Sequence, residues 1–375
     1  MWILLMALVG CTNPAKKLGC DALPADLPGD IDPFELIAVD TERSEVWQGH
    51  LLAPQFGRST WAVALDHCAV PVWWQKSETT DTKITRVRMG RDRRSVVYSE
   101  FDESRQEDLG QIKRVSLDDG RVTVTRAQEQ HHDFVELPDG RMAWLAWDRR
   151  PNVWFDDSEE TEVIADAVLV APEGVDDAHE PERLFSTWDD VDAEPFWSCS
   201  HMRGAWAGGL DWSHMNSLVF HDDTGEWTVN ARQWDATLRL NPDGSLKWMV
   251  GGPLDGFQLA DGTAWQRHGH MSEAWADRIL LFDNGNHGIH PVSRAVEYRV
   301  DEASGVVDEV WSFDHPDGGF VTHLGDARRL PGGNTLISWS PDGIVTEVTP
   351  GGEIVWEARV DQKVGRLEFV PDWPL

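Results

Sequence analysis

Four histidines in this chain each stand just ahead of a run of residues patterned like a β-strand. They are His132 in HHDFVELPDGRMAWLAW, His214 in DWSHMNSLVF, His268 in RHGHMSEAWADRILLFDNG and His323 in THLGDARRLPGGNTLI. The gaps between them are 82, 54 and 55 residues. A recurrent unit of several short strands at such a period marks a toroidal β fold, because one unit cannot bury its own apolar face and must stack on its neighbours. One histidine per unit, at the same place in a repeated β-unit, would line a shared central cavity.

Turn signals punctuate the same stretch. Asp119-Gly120, Asp139-Gly140, Asp243-Gly244, Asp342-Gly343 and Gly351-Gly352 each lie between short apolar or alternating runs, the pattern of hairpins. A second element recurs: Trp248, Trp311 and Trp356 each fall late in a strand pattern, 63 and 45 residues apart. Long helical periodicity is almost absent. Roughly 340 residues divided into units of about 55 make six blades. The expected fold is therefore all-β, a six-bladed β-propeller over residues 36–375. The long interval from His132 to His214 holds either two short units or one unit with an acidic insertion near 156–195. A jelly roll or double sandwich would explain the strands but not the recurring order of histidine, strand, turn and strand.

Charge and the N-terminus narrow the partners. The net charge of −32 excludes nucleic acid, whose phosphates need a basic face, and disfavours adhesion to anionic lipid. Clusters such as Asp156, Asp157, Glu159 and Glu160, or Asp189, Asp190, Asp192 and Glu194, fit solvated loops. Residues 1–10, MWILLMALVG, are apolar, too short to span a bilayer, and have the character of a signal peptide. Leu8-Val9-Gly10-Cys11 resembles a bacterial lipobox, without the basic residues that normally precede one. Cys11 is then the lipidated N-terminus, residues 11–35 a tether, and the membrane is met only through that anchor. The protein is expected to be an exported lipoprotein, periplasmic or outer-membrane-associated. Cys20, Cys68 and Cys199 remain; an exported compartment permits a disulfide, with one cysteine left over. No cysteine or histidine spacing fits zinc, so no metal is expected. GxSxG, P-loop, HExxH and GxGxxG motifs are absent, which removes the commonest hydrolase, kinase and dinucleotide functions.

The densest polar cluster is Asp211-Trp212-Ser213-His214-Met215-Asn216-Ser217, with Arg232 one strand further on. His214 and Asn216 are two apart, so an extended backbone would put both on one face. A histidine, an amide and a guanidinium converging on one point suit a tetrahedral oxyanion, since Arg offers a planar fork of donors. In Gln266-Arg267-His268-Gly269-His270, Gly269 gives backbone freedom where the chain must approach a ligand. A neutral histidine is a competent nucleophile, and near neutral pH an acid or base. Spacing alone does not choose between His268 and His270. His131-His132-Asp133 opens another unit, in which Asp133 could orient its neighbour. His323, with Asp326 and Arg328, opens a further one to which no chemistry is assigned.

DWSHMNSL, the arginine in VNARQWDATLRLNPDGSLKWMVGG, RHGHM, ILLFDNGN, SRAVEYRVDEASGVVDEVWSF, GDARRLPGGNTLI and VTEVTPGGEIVWE together resemble the bacterial arylsulfotransferase (aryl-sulfate sulfotransferase) family, over roughly residues 128–357. The resemblance implies an exported six-bladed propeller that moves a sulfuryl group from an aryl sulfate donor to a phenolic acceptor. No cofactor enters, and no nucleotide sulfate (PAPS) serves as donor. It also implies a ping-pong route through a sulfated histidine. On that pattern His268 occupies the nucleophile's place, His214 and Arg232 bind the sulfuryl oxygens, Asn216 accompanies them, and His132 serves in proton transfer. Arg267 stands where the family commonly has Gln; with His270 it is assigned to substrate binding. The rival reading is a non-catalytic exported propeller that binds a glycan, peptide or protein partner, because propellers host many functions. A metal-dependent hydrolase is weaker, for want of carboxylates grouped with the histidines.

Overall fold

The computed structural model describes residues 23–40, 46–102, 108–151, 162–192, 209–289 and 291–374. Their strands form six sheets of four or five strands, built from consecutive hairpins, and no α-helix occurs among the described residues. Each sheet is one blade. The second spans residues 82–126, the third 130–186, the fourth 215–250, the fifth 270–314 and the sixth 326–359. The first joins both ends of the chain. Strands His50–Phe56, Thr60–Asp66 and Pro71–Lys76 receive their inner edge from Lys363–Val364 and Glu368–Val370. Strand Glu35–Val39 in turn pairs with Ile354–Arg359 at the outer edge of the sixth blade.

The apolar core lies between blades, not at the centre. Val97 and Ile112 meet Phe134 and Trp144 between the second and third blades, and Val345 and Trp356 meet Leu51 and Trp61 between the sixth and first. Comparable clusters join the other four pairs of neighbours. Sheets stacked face to face in a closed ring make a six-bladed β-propeller, as expected. The centre is left to polar side chains.

The repeat read from the sequence is a structural one. The five Asp-Gly and Gly-Gly pairs named above all lie at hairpin turns. Trp248, Trp311 and Trp356 occupy the fourth strand of their blades and pair with Arg239, Glu297 and Glu347, each tryptophan directly following the extra residue of a bulge. The long interval after His132 is one unit: the third blade has two strands of 11 residues, Arg141–Pro151 and Glu162–Pro172. Part of its acidic insertion lies outside the described residues. The expected tether ends earlier than residue 35, because Ile31 and Phe34 are buried in the cluster between the sixth and first blades. Gln55 also holds the backbone of Asp32 with two hydrogen bonds. Residues 1–10, Cys11, Cys20 and Cys199 lie outside the described residues. Cys68 is disulfide-bonded.

Midway along the axis the inner strands are tied by charge. Asp133, fully buried, accepts from the Leu218 amide at 2.8 Å and pairs with Arg366. Arg88 and Arg86 stand 3.3 and 3.4 Å from the same carboxylate. Arg366 also donates to the Ser272 carbonyl at 2.9 Å, and Asp326 accepts from the Leu367 amide at 2.7 Å. All six blades contribute to this crossbar. Burial alone would raise Asp133; Arg366, Arg88 and Arg86 instead hold it at about 2. Asp133 thus serves the axis and does not orient His132. A cavity of about 960 Å³ opens where the inner strands begin, and one of about 340 Å³ where they end; Arg366 lines both.

Candidate active site

The larger cavity receives the histidines. His132, His214 and His268 take left-handed backbone conformations, with φ of 47°, 51° and 56°. Such angles cost a non-glycine residue energy and persist where the surroundings enforce them. The histidines share the entrance of the inner strand but not one register. His132 lies at a bulge in its strand, His214 precedes Met215–Phe220, and His270 begins His270–Trp275. The His132 ring sits 5.0 Å from that of His214 and 6.0 Å from that of His270.

His214 donates from Nδ1 to Asp211, which also accepts from Gln233 at 3.1 Å. Burial would raise Asp211, yet His214 and Gln233 hold it below the ordinary carboxylate range. The carboxylate fixes the ring and leaves Nε2 as its other nitrogen. Arg232 begins a short 3-10 turn after strand Trp227–Ala231, and its amide donates to the His214 carbonyl at 3.0 Å. His214 and Arg232 both line the cavity, as the spacing suggested. Asn216 does not. The strand bulges between Met215 and Ser217, so the period of two fails and Asn216 turns away from His214. Fully buried, it donates to the Gly269 carbonyl at 2.9 Å, beside Asn230 at 2.8 Å. Asn216 therefore positions the segment that carries His270.

His270 is on the cavity wall. Its Nδ1 donates to the Gly325 carbonyl at 2.9 Å, which leaves Nε2 as the basic nitrogen. Burial, with Arg232, His214 and Arg366 nearby, lowers its pKa to about 3 against the pull of the Gly325 carbonyl. The ring is neutral at any ordinary pH. Gly269 is closely approached: a Cβ there would lie 1.7 Å from Oε1 of Gln266 and would displace an amide that donates to Asn230 and Thr237. His268 is buried outside the cavity wall; its amide is held by Asp235 and its Nε2 stands 3.0 Å from Nε2 of His287, which does line the cavity. Arg267 is exposed and donates to the His287 carbonyl at 3.3 Å. The expected place of Arg267 on the substrate is thus not where its guanidinium lies.

His132 is backed by a second ring. Its Nδ1 is 2.9 Å from Nδ1 of His131, whose Nε2 is 3.0 Å from Asp166. His131 also stacks on Trp147. Asp166 accepts from the Ser213 hydroxyl and, at 2.8 Å, from the Met215 amide. One buried carboxylate therefore secures His132 and both neighbours of His214. Asp166 and Asp211 are carboxylates grouped with the histidines; Asp211 belongs to the polar cluster around His214, whereas the sequence did not suggest Asp166.

Most of the remaining wall was not foreseen. His323 lines the cavity as its place in the repeat implied, while His287, Lys83, Lys363 and Arg366 add further positive or protonatable groups, and Phe56, Phe101, Phe320 and Pro291 add apolar surface. Asp211 is the one carboxylate among these described lining residues, so the cavity reverses the field of an acidic protein. Asp211 could have been found three residues before His214, and His287 just after the strand of ILLFDNGN. Lys363 and Arg366 carried no local signal, because they reach the axis only when the C-terminal strands close the ring.

An axial cavity of histidines, arginines and lysines in a six-bladed propeller defines an anion-handling site on a toroidal scaffold. The sequence model described as Arylsulfotransferase (ASST) matches residues 62–364, and the chain belongs to the arylsulfotransferase family. Transfer of a sulfuryl group among aryl substrates is the class of chemistry this membership assigns. No curated protein matches the chain in sequence. Among solved structures, a protein of unknown function from Bacteroides caccae is similar at 14% identity and TM-score 0.51, covering 85% of this chain and 98% of that one. A periplasmic gluconolactonase from Pseudomonas aeruginosa is similar at 14% identity and TM-score 0.48, covering 86% and 99%. Likeness at this level concerns the fold alone.

Proposed function

We propose that the protein transfers a sulfuryl group from an aryl sulfate ester to a phenol by a ping-pong route through a sulfated histidine, with no nucleotide sulfate as donor. The nucleophile is His270 and not His268. The observation that carries this choice is the neutral His270 ring on the cavity wall, its tautomer set by Gly325. In the first half, the His270 Nε2 lone pair forms the N–S bond as the S–O bond to the aryl group breaks. The departing phenolate takes a proton from a neighbouring histidine, for which His132 is placed, an effect worth about 10²–10⁴-fold. In the second half the acceptor phenol returns its proton to His132, and its oxygen forms the O–S bond as the N–S bond breaks. Arg232 and His214 hold the sulfuryl oxygens, where charge concentrates as bonds change. His268 and Asn216 position the loop. We place the protein outside the cytoplasm as a lipid-anchored export product through Cys11, a reading supported by the disulfide at Cys68, a bond that persists in oxidising compartments.

The test is incubation with 4-nitrophenyl sulfate and phenol, followed by phenolate release and intact mass. Acceptor-dependent release and a protein carrying one added sulfuryl group, both lost in His270→Ala, support the reading. Full activity in His270→Ala with loss in His268→Ala moves the nucleophile to His268. No release and no sulfated protein with a range of donors favours the rival, a propeller that binds a glycan, peptide or protein partner.

A further inference from the structure

The cavity carries a second cationic station that the sulfuryl chemistry does not use. Lys363 pairs in register with Phe56 on the first blade, and Lys83 pairs in register with Phe101 on the second. Residues directly opposite on antiparallel strands project to the same face, and all four side chains line the cavity. The same cation–aromatic pair is thus built twice, on adjacent blades. In a ring of six, the first and second blades stand opposite the fourth and fifth, which supply Arg232, His214 and His270. An aryl sulfate whose sulfuryl group lay at those three residues would extend across the cavity towards the first and second blades, which carry the two lysines. The space of about 960 Å³ is at the upper end of small-ligand sites and exceeds what a bare phenyl sulfate fills.

We infer that Lys83 and Lys363 form a subsite for a second anionic group, so that the favoured substrates are phenols and aryl sulfates bearing a carboxylate or sulfate across the ring. The inference rests on the sulfotransfer reading above. Phe56 and Phe101 flank the ring while the ammonium groups meet the anion, each contact a charge-assisted hydrogen bond. Donor and acceptor use the same subsite, because in a ping-pong sequence they occupy the cavity in turn.

The experiment compares 4-hydroxybenzoate and 4-hydroxyphenylacetate with their methyl esters as acceptors, at fixed 4-nitrophenyl sulfate. At least one acid exceeds its ester in kcat/KM by about tenfold, the scale of one such contact, with the difference in KM. The double variant Lys83→Gln, Lys363→Gln brings that ratio to about one. A ratio of one or less in the wild-type protein overturns the subsite while leaving sulfotransfer intact. If no donor turns over, calorimetric binding of the same acids and esters decides the matter separately. A preference for the acid that disappears in the double variant upholds the subsite, and equal affinity for acid and ester sinks it.

Discussion

The His270 ring donates from Nδ1 to the Gly325 carbonyl, 2.9 Å away across the boundary between the fifth and sixth blades. Its tautomer is therefore set by a neighbouring blade. Gly325 has a φ of 90°, and a Cβ there would lie 2.3 Å from the Phe282 ring. Gly325→Ala must move this carbonyl, because the ring it meets is itself packed in the core. We expect kcat to fall by roughly 10–100-fold, the scale at which small misplacements slow an oriented reaction, with KM little changed. Steady-state kinetics check this; unchanged kcat would mean that the carbonyl does not set the tautomer.

Asp166→Asn removes the carboxylate shared by His131, Ser213 and Met215. The amide still accepts from Met215 but no longer favours a proton on His131 Nε2. The expected loss is about 10–100-fold in kcat for donors with poor leaving groups, where general acid catalysis matters. It is smaller for 4-nitrophenyl sulfate. An equal loss for both donor types would reduce Asp166 to a scaffold.

Two desolvated groups, one buried and one half-buried, give stability opposite dependence on pH. His270 titrates at about 3 instead of its ordinary 6.5. Between those values the unfolded chain binds a proton that the folded chain refuses, so this contribution is full above 6.5 and is lost as pH falls towards 3. Burial raises Asp235 from 3.8 to about 6 despite the His268 amide. Its contribution is full below 3.8 and is lost as pH rises through 6. Asp235→Asn should raise stability by about 1–2 kcal/mol above pH 6 and not at pH 4. Thermal melts of both proteins from pH 4 to 8 test the sign.

Arg366→Met leaves Asp133 buried beside two weaker arginine contacts. Breaking a buried pair from one side typically costs about 3–5 kcal/mol. Denaturant melts should show that loss. A cost under about 1 kcal/mol would mean that Arg86 and Arg88 neutralise Asp133 unaided.

Much of the fold was legible because its signals are local. A hairpin turn needs its residues at Asp139-Gly140 whatever the sheet packs against, and Trp248, Trp311 and Trp356 mark the same bulge in three blades. The site was legible in part. His132 and His214 meet in the cavity as their place ahead of the inner strands implied, joined by His270 at the start of its strand and by Arg232 after the second strand of the fourth blade. Asn216 was misread because one inserted residue shifts the alternation of a strand, and no composition rule announces a bulge.

The sequence by itself determined the repeat, the number of blades and the histidine-bearing strand entrances, since these follow from period, turn chemistry and apolar alternation within a few residues. Only the tertiary structure decided which histidine faces the cavity, which carboxylates serve it and which lysines stand opposite. Those choices depend on residues as far apart as His270 and Gly325, or Asp133 and Arg366, brought together when strands from both ends of the chain close the ring.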